Sequence, residues 1–168
     1  MKNIFLVGFM GCGKSTVSRY MSEQYGFDLV ELDEEIASME HMPISQIFEE
    51  KGEEYFRNLE SQALYAIQKE CGKIVSCGGG IILREQNVLE MKKRGIVVWL
   101  TASPETILTR VLNDNNRPLL QGKKSIDDIK HMLEQREAKY KEASSVMIQT
   151  DQKAVSDICK EILEQIKE

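Results

Sequence analysis

The sequence predicts an α/β fold of three layers, α/β/α, with a five-stranded parallel sheet at its centre. Two observations carry this expectation. Short runs rich in β-branched residues alternate with longer helical patterns along the whole chain. Those short runs also lack strict apolar–polar alternation, as strands do when both of their faces are covered. With 168 residues, 42% of them hydrophobic, the chain suffices for one domain with a sizeable core and is too short for two. A single domain over 1–168 is expected.

The elements follow in order. Residues 3–7 (Asn-Ile-Phe-Leu-Val) read as a buried strand ended by Gly8, and 15–25 as a helix. A second strand covers 27–32. Helical pattern then runs over 33–70, broken near Pro43 and Gly52, the two residue types that interrupt helices. The third strand, 73–77, is closed by Gly78, Gly79 and Gly80. Helix 84–94, strand 96–100 and helix 104–112 lead into the polar stretch Asn113-Asp-Asn-Asn-Arg-Pro118. A long helix 125–142, a short strand 145–149 and a helix 153–167 complete the pattern. Periodicity leaves the strand order open.

Charge and cysteine usage exclude several function classes. Net charge is −5 and acids and bases are interspersed, so no basic stripe faces a nucleic-acid backbone and no nucleic-acid partner is expected. Arginine and lysine should act locally, on an anionic ligand. The cysteines at 12, 71, 77 and 159 fit no CxxC metal knuckle or redox pair, and reduced thiols in a cytoplasmic protein are the expectation. The apolar run 4–7 is too short for a signal-peptide core or a membrane span, so no membrane is expected either.

The strongest motif is Gly8-Phe-Met-Gly-Cys-Gly13-Lys14-Ser15, which satisfies GxxxxGK[ST] between a strand and a helix. Its glycines let the backbone wind tightly and turn N–H groups inward, a cradle for phosphate oxygens. The helix that begins at Lys14 adds its partial positive end. Lys14 would reach the β and γ phosphates of a nucleoside triphosphate, and the Ser15 hydroxyl would ligand Mg2+. A GTPase would need a base-reading NKxD motif, which does not occur, and an ATPase motor an acid ending the third strand, which instead ends Ser76-Cys77-Gly78. Small-molecule kinases remain.

The acceptor side is less specific. Glu31 and Asp33 alternate at the end of the second strand, so both carboxylates are expected on one face at its carboxyl end, where doubly wound sheets bind ligands. One can serve magnesium through water while the other holds an acceptor hydroxyl and helps its proton leave. The same acids equally suit a solvated helix start. Arg57 and Glu60, three apart on a helix, can pair so that Glu60 orients a fork suited to a carboxylate, or form an ordinary surface pair. Three glycines at a strand end suggest close approach of backbone to a ligand. Arg117 lies in a segment, about 112–124, that looks like a lid able to close over a transferring phosphoryl group. Arg110 precedes it, and Arg136 and Tyr140, four apart, can present a second charged fork.

In this order the pieces resemble the shikimate kinases, from about residue 3 to 150. The matching elements are the loop Gly8 to Thr16, Asp33 with Ile36, Ile44-Ser-Gln-Ile-Phe48, Gly52-Glu-x-x-Phe-Arg57-x-x-Glu60, Gly78-Gly-Gly80, Arg117-Pro-Leu-Leu120 and Arg136-x-x-x-Tyr140. The resemblance implies the nucleoside monophosphate kinase fold, strand order 2-3-1-4-5, with a substrate-binding region about 33–60 and a lid. It implies phosphoryl transfer from ATP to the 3-hydroxyl of shikimate, on the way to chorismate and aromatic amino acids, by a monomer. Asp33 would contact shikimate hydroxyls and act as base. Arg57 and Arg136 would grip its carboxylate, with the backbone of Gly78, Gly79 and Gly80 at the ring hydroxyls. ATP would lie on Gly11, Cys12, Gly13, Lys14, Ser15 and Thr16, with Arg110 near adenine and Arg117 at the phosphates. Mg2+ would sit on Ser15, with Glu31 acting through water. The chain departs from the family at Glu31, where aspartate is usual, at Ser18 and His41, where glycine is common, and at Ala37, where glutamate is frequent. Two alternatives stay open: another small-molecule kinase, such as a gluconate or nucleotide kinase, and a catalytically silent nucleotide-binding module.

Overall fold

Five parallel strands form one sheet: β1 (Asn3–Val7), β2 (Asp28–Glu31), β3 (Lys73–Ser76), β4 (Gly95–Thr101) and β5 (Val146–Gln149). Their order is β2-β3-β1-β4-β5, as the resemblance implied. The computed structural model describes residues 2–67, 71–112 and 125–167. The segment expected to act as a lid, Arg117 included, therefore lies almost wholly outside the described residues.

β1 stands in the middle, with Leu6 level with Ser76 of β3 on one side and Val98 of β4 on the other. All five of its residues are buried, which explains its unbroken apolar run. The edge strands β2 and β5 are buried at only some positions. Successive side chains of β1 enter opposite layers. Ile4 and Leu6 pack with Val17 and Met21 of α1 (Lys14–Tyr25) and with Ile158 and Ile162 of α7 (Val155–Ile166). Phe5 and Val7 share the other layer with Phe56 and Leu64 of α3 (Ile44–Ala66), Met91 of α4 (Glu85–Arg94) and Tyr140 of α6 (Ile126–Ala143). Helix α5 (Pro104–Leu112) packs Ile107 and Val111 beneath the phosphate loop against Phe9 and Met10.

Helix ends follow local chemistry. α1 stops at Gly26, whose φ of 74° is the left-handed conformation, with its N–H bonded to the Ser22 carbonyl. α2 (Leu32–Glu40) stops at His41 with φ 55°, so a histidine holds a position where glycine would be unstrained. Pro43 precedes α3, and Gly52 (φ 85°, ψ 170°) kinks it. One boundary changes the reading of the site: β2 ends at Glu31 and α2 begins at Leu32. Asp33 is a first-turn helix residue, so strand alternation does not put it on a face with Glu31. Among the described residues no helix is long and apolar enough to cross a membrane.

Asn3 is fully buried at the start of β1, and its side-chain oxygen accepts the Lys73 N–H of β3 at 3.0 Å. Replacing Asn3 by Ala removes that acceptor, and the expected loss in urea unfolding is about 1–3 kcal/mol. A loss within about 0.3 kcal/mol of zero would show that the tie contributes nothing.

Candidate active site

The phosphate loop joins β1 to α1, and its backbone is one that few non-glycine residues adopt: φ is 149° at Gly8, 83° at Gly11 and 98° at Gly13. A Cβ at Gly8 would also collide with the Leu100 carbonyl of β4. Lys14, 9% exposed, folds back across the loop and donates from Nζ to the carbonyls of Gly8 at 2.6 Å and Phe9 at 3.2 Å. Arg110 of α5 braces the outside, donating to the Gly11 carbonyl at 2.9 Å and to the Thr150 hydroxyl at 3.5 Å, just beyond β5.

A cleft of about 360 Å³ opens beside this loop at the carboxyl ends of β1, β2 and β3. Its wall brings together Lys14, Ser15, Glu31, Asp33, Arg57, Glu60, Gly78, Gly79 and Gly80, all singled out from sequence. Asp33 reaches it from α2 despite the strand ending early. Glu31 accepts from Ser15 Oγ at 3.1 Å and from Ser18 Oγ at 3.3 Å. Two departures from the family pattern, Ser18 and Glu31, thus meet in one hydrogen bond. A serine hydroxyl and a carboxylate on the rim of a phosphate cradle are hard oxygen donors, a set that fits Mg2+.

Arg57 is 6% exposed and Glu60 fully buried. Arg57 Nη1 donates to Glu60 Oε1 at 3.0 Å, and Nη2 to Glu53 Oε1 at 3.3 Å. The pair is no surface ornament: a buried guanidinium needs a carboxylate beside it. Glu53 was not singled out from sequence, although its spacing of four from Arg57 is the signal for such a contact. Burial pushes the Glu60 carboxyl up to about 7 from an ordinary 4.5, against the lowering effect of Arg57. Burial also pushes the Cys77 thiol up, so it stays protonated and is no nucleophile.

Two of the three glycines have a reason beyond the expected approach of backbone to a ligand. None has a left-handed φ. A Cβ at Gly80 would collide with the Arg57 guanidinium, and one at Gly78 with Glu60 Oε2 while standing 3.1 Å from Asp33 Oδ1. Gly78 and Gly80 make room for the protein's own charged side chains. Only Gly79 is uncrowded, its nearest neighbours at 3.6 Å including Arg136 Nη1. The Tyr140 hydroxyl, four residues on from Arg136, donates to the Gly79 carbonyl. Among the described residues, Arg57 Nε and Arg136 Nη1 are buried donor atoms without a hydrogen-bond partner.

Fold and site together define a P-loop phosphotransferase, a nucleotide cradle facing a cleft built for a small anionic molecule. The family model of shikimate kinase matches residues 10–167. A shikimate kinase of Sulfurihydrogenibium sp. (strain YO3AOP1) is 47% identical over 99% of both chains. That of Persephonella marina is 42% identical over 99% of this chain and 100% of its own. The structure of an Acinetobacter baumannii shikimate kinase in complex with shikimate superposes with a TM-score of 0.94 at 36% identity, over 99% of this chain and 93% of that one. The chain belongs to the shikimate kinase family.

The raised Glu60 carboxyl links stability to pH. Its protonated form is the one favoured by folding, so its contribution is complete below about 4.5 and is lost as pH rises through about 7. The unfolding free energy of the wild type relative to Glu60→Gln should therefore fall between pH 5 and pH 8 in paired urea titrations. An equal difference at both pH values would mean that Glu60 keeps an ordinary carboxyl.

Proposed function

We infer that this chain transfers the γ-phosphoryl group of ATP to the 3-hydroxyl of shikimate, as a monomeric cytoplasmic enzyme. The observation that carries the acceptor's identity is the pair of buried guanidinium atoms, Arg57 Nε and Arg136 Nη1, that have no partner among the described residues. A buried donor without an acceptor costs about 1–3 kcal/mol or more when charged, and a substrate carboxylate removes that cost at both arginines. Membership of the family and likeness to a shikimate-bound relative support the same acceptor.

With the carboxylate so held, the ring hydroxyls lie toward Gly79, Gly80 and Asp33. Asp33 accepts hydrogen bonds from these hydroxyls, orients the attacking oxygen and takes its proton. The γ-phosphate occupies the loop of Gly11, Cys12, Gly13, Lys14, Ser15 and Thr16. There its oxygens replace the loop carbonyls as partners of Lys14 Nζ. Lys14 then follows the charge that spreads over the transferring group. Ser15 would hold Mg2+ directly and Glu31 through water; when bound, the ion neutralises charge on the β and γ phosphates. Arg110 is fixed on the Gly11 carbonyl beside Thr150, and its place near adenine is assigned on the resemblance alone. Arg117 is assigned to the phosphates on the resemblance alone. Little covalent work is asked of the protein, so positioning and electrostatics carry the rate.

ADP release measured with Mg-ATP should depend strongly on added shikimate; a rate unchanged by shikimate would overturn the acceptor. Arg57→Ala should raise the KM for shikimate by about a hundredfold, the loss of a charge-assisted pair of bonds, with ATP binding nearly intact. Equal weakening of both substrates would remove Arg57 from the carboxylate site. Lys14→Met should abolish transfer, and a rate near wild type would mean that the phosphate loop is misread.

A further inference from the structure

Three consecutive glycines leave a backbone with little of its own to hold its shape. Yet in this turn every glycine carbonyl has a partner. The Gly78 carbonyl accepts from the Ile81 N–H at 3.2 Å and the Gly80 carbonyl from the Leu83 N–H at 3.1 Å, both local turn bonds. The middle carbonyl, that of Gly79, accepts instead from the hydroxyl of Tyr140, 61 residues away on α6. All three glycines line the cleft, and Gly79 is the partly exposed one among them. The peptide most free to rotate is therefore fixed by a single side chain from another element.

That side chain is itself immobilised. Tyr140 is 1% exposed, and its ring stacks on Trp99 of β4 with centroids 5.7 Å apart and planes 19° apart. Burial pushes the phenol above its ordinary range, so the O–H remains a donor at neutral pH. One helical turn away on α6, Arg136 brings Nη1 to the same glycine. α6 thus sets a guanidinium and a backbone peptide in register with one another. The loop side is equally close, since the Gly8 carbonyl and Met10 N–H lie about as near to Gly79 as Arg136 does.

We propose that Tyr140 is a positioning residue for the phosphoryl acceptor. Its hydroxyl orients the Gly79–Gly80 peptide, and with it the Gly80 N–H, toward the ring hydroxyls of the acceptor, in register with Arg136 and the phosphate loop. The role rests on shikimate as acceptor. It concerns the acceptor's hydroxyls and leaves ATP untouched, which separates it from a general packing role.

The test is steady-state kinetics of Tyr140→Phe, which keeps the ring on Trp99 and deletes the one donor. The KM for shikimate should rise about tenfold, the loss of one well-placed hydrogen bond, while the KM for ATP stays within about twofold. Removing the 4- or 5-hydroxyl from the acceptor should also harm the variant less than the wild type, because the misaligned peptide no longer rewards it. A wild-type KM for shikimate would overturn the proposal, as would parallel rises in both KM values or a drop in Tm and kcat alone. Should Tyr140→Phe fail to fold, Trp99→Phe loosens the stacked ring and keeps the hydroxyl. It should raise the KM for shikimate selectively, and an unchanged value there would likewise overturn the role. Loss of shikimate-dependent turnover in the wild type would remove the acceptor reading and this one together; normal wild-type turnover with an indifferent Tyr140→Phe removes this one alone.

Discussion

A guanidinium that is 6% exposed persists only beside a carboxylate, and at Arg57 that carboxylate is the fully buried Glu60. Much of the acceptor side is arranged around this pair. It needs a volume without side chains above it, which is why Gly78 and Gly80 carry none. It needs rigid support, and Arg84 supplies part of it by donating to the Arg57 carbonyl and the Ser61 hydroxyl, both at 3.3 Å. The pair lies at the carboxyl ends of β2 and β3, next to the loop that follows β1, because the strand order puts those three ends side by side. Acceptor and donor sites are thereby neighbours through topology rather than through any flexible connection.

The charge arrangement explains how such a site stays both folded and receptive. Arg57 already has Glu60 and the half-exposed Glu53 on its two terminal nitrogens. A third carboxylate would be unwelcome if both of these were fully charged. A Glu60 carboxyl pushed up to about 7 sheds part of its charge near neutrality, and Glu53 stands in water where its charge is screened. On the proposed reading, an incoming carboxylate would meet a guanidinium whose charge is only partly spent, together with the donor on Arg136.

Much of this was legible in the sequence, for identifiable reasons. The phosphate loop was, because its chemistry needs glycines, a lysine and a hydroxyl at fixed spacing on adjacent residues. The strand at Asn3–Val7 was, because burial on both faces leaves an unbroken apolar run. Less was legible where the cause lies across space. Strand alternation gave the wrong account of Asp33, since α2 starts at Leu32, one residue before it. The glycine triplet was read as room for a ligand, whereas two of the three make room for Arg57 and Glu60. Tyr140 was seen to lie one turn from Arg136, but nothing local could direct its hydroxyl to a carbonyl 61 positions away. Ser18 and Glu31 looked like separate departures from a pattern, and only the fold joins them.

The central claim is that Arg57 and Arg136 hold the acceptor by its carboxylate. It is tested most directly by comparing shikimate with its uncharged carboxamide, a substrate of equal size and equal hydroxyls, under saturating Mg-ATP. The account predicts that the carboxamide's kcat/KM falls by about two orders of magnitude or more, the worth of charge-assisted bonds to two guanidinium groups. Comparable turnover of the two compounds would contradict it, and would leave Arg57 and Arg136 as structural charges in a site that recognises its substrate by other means.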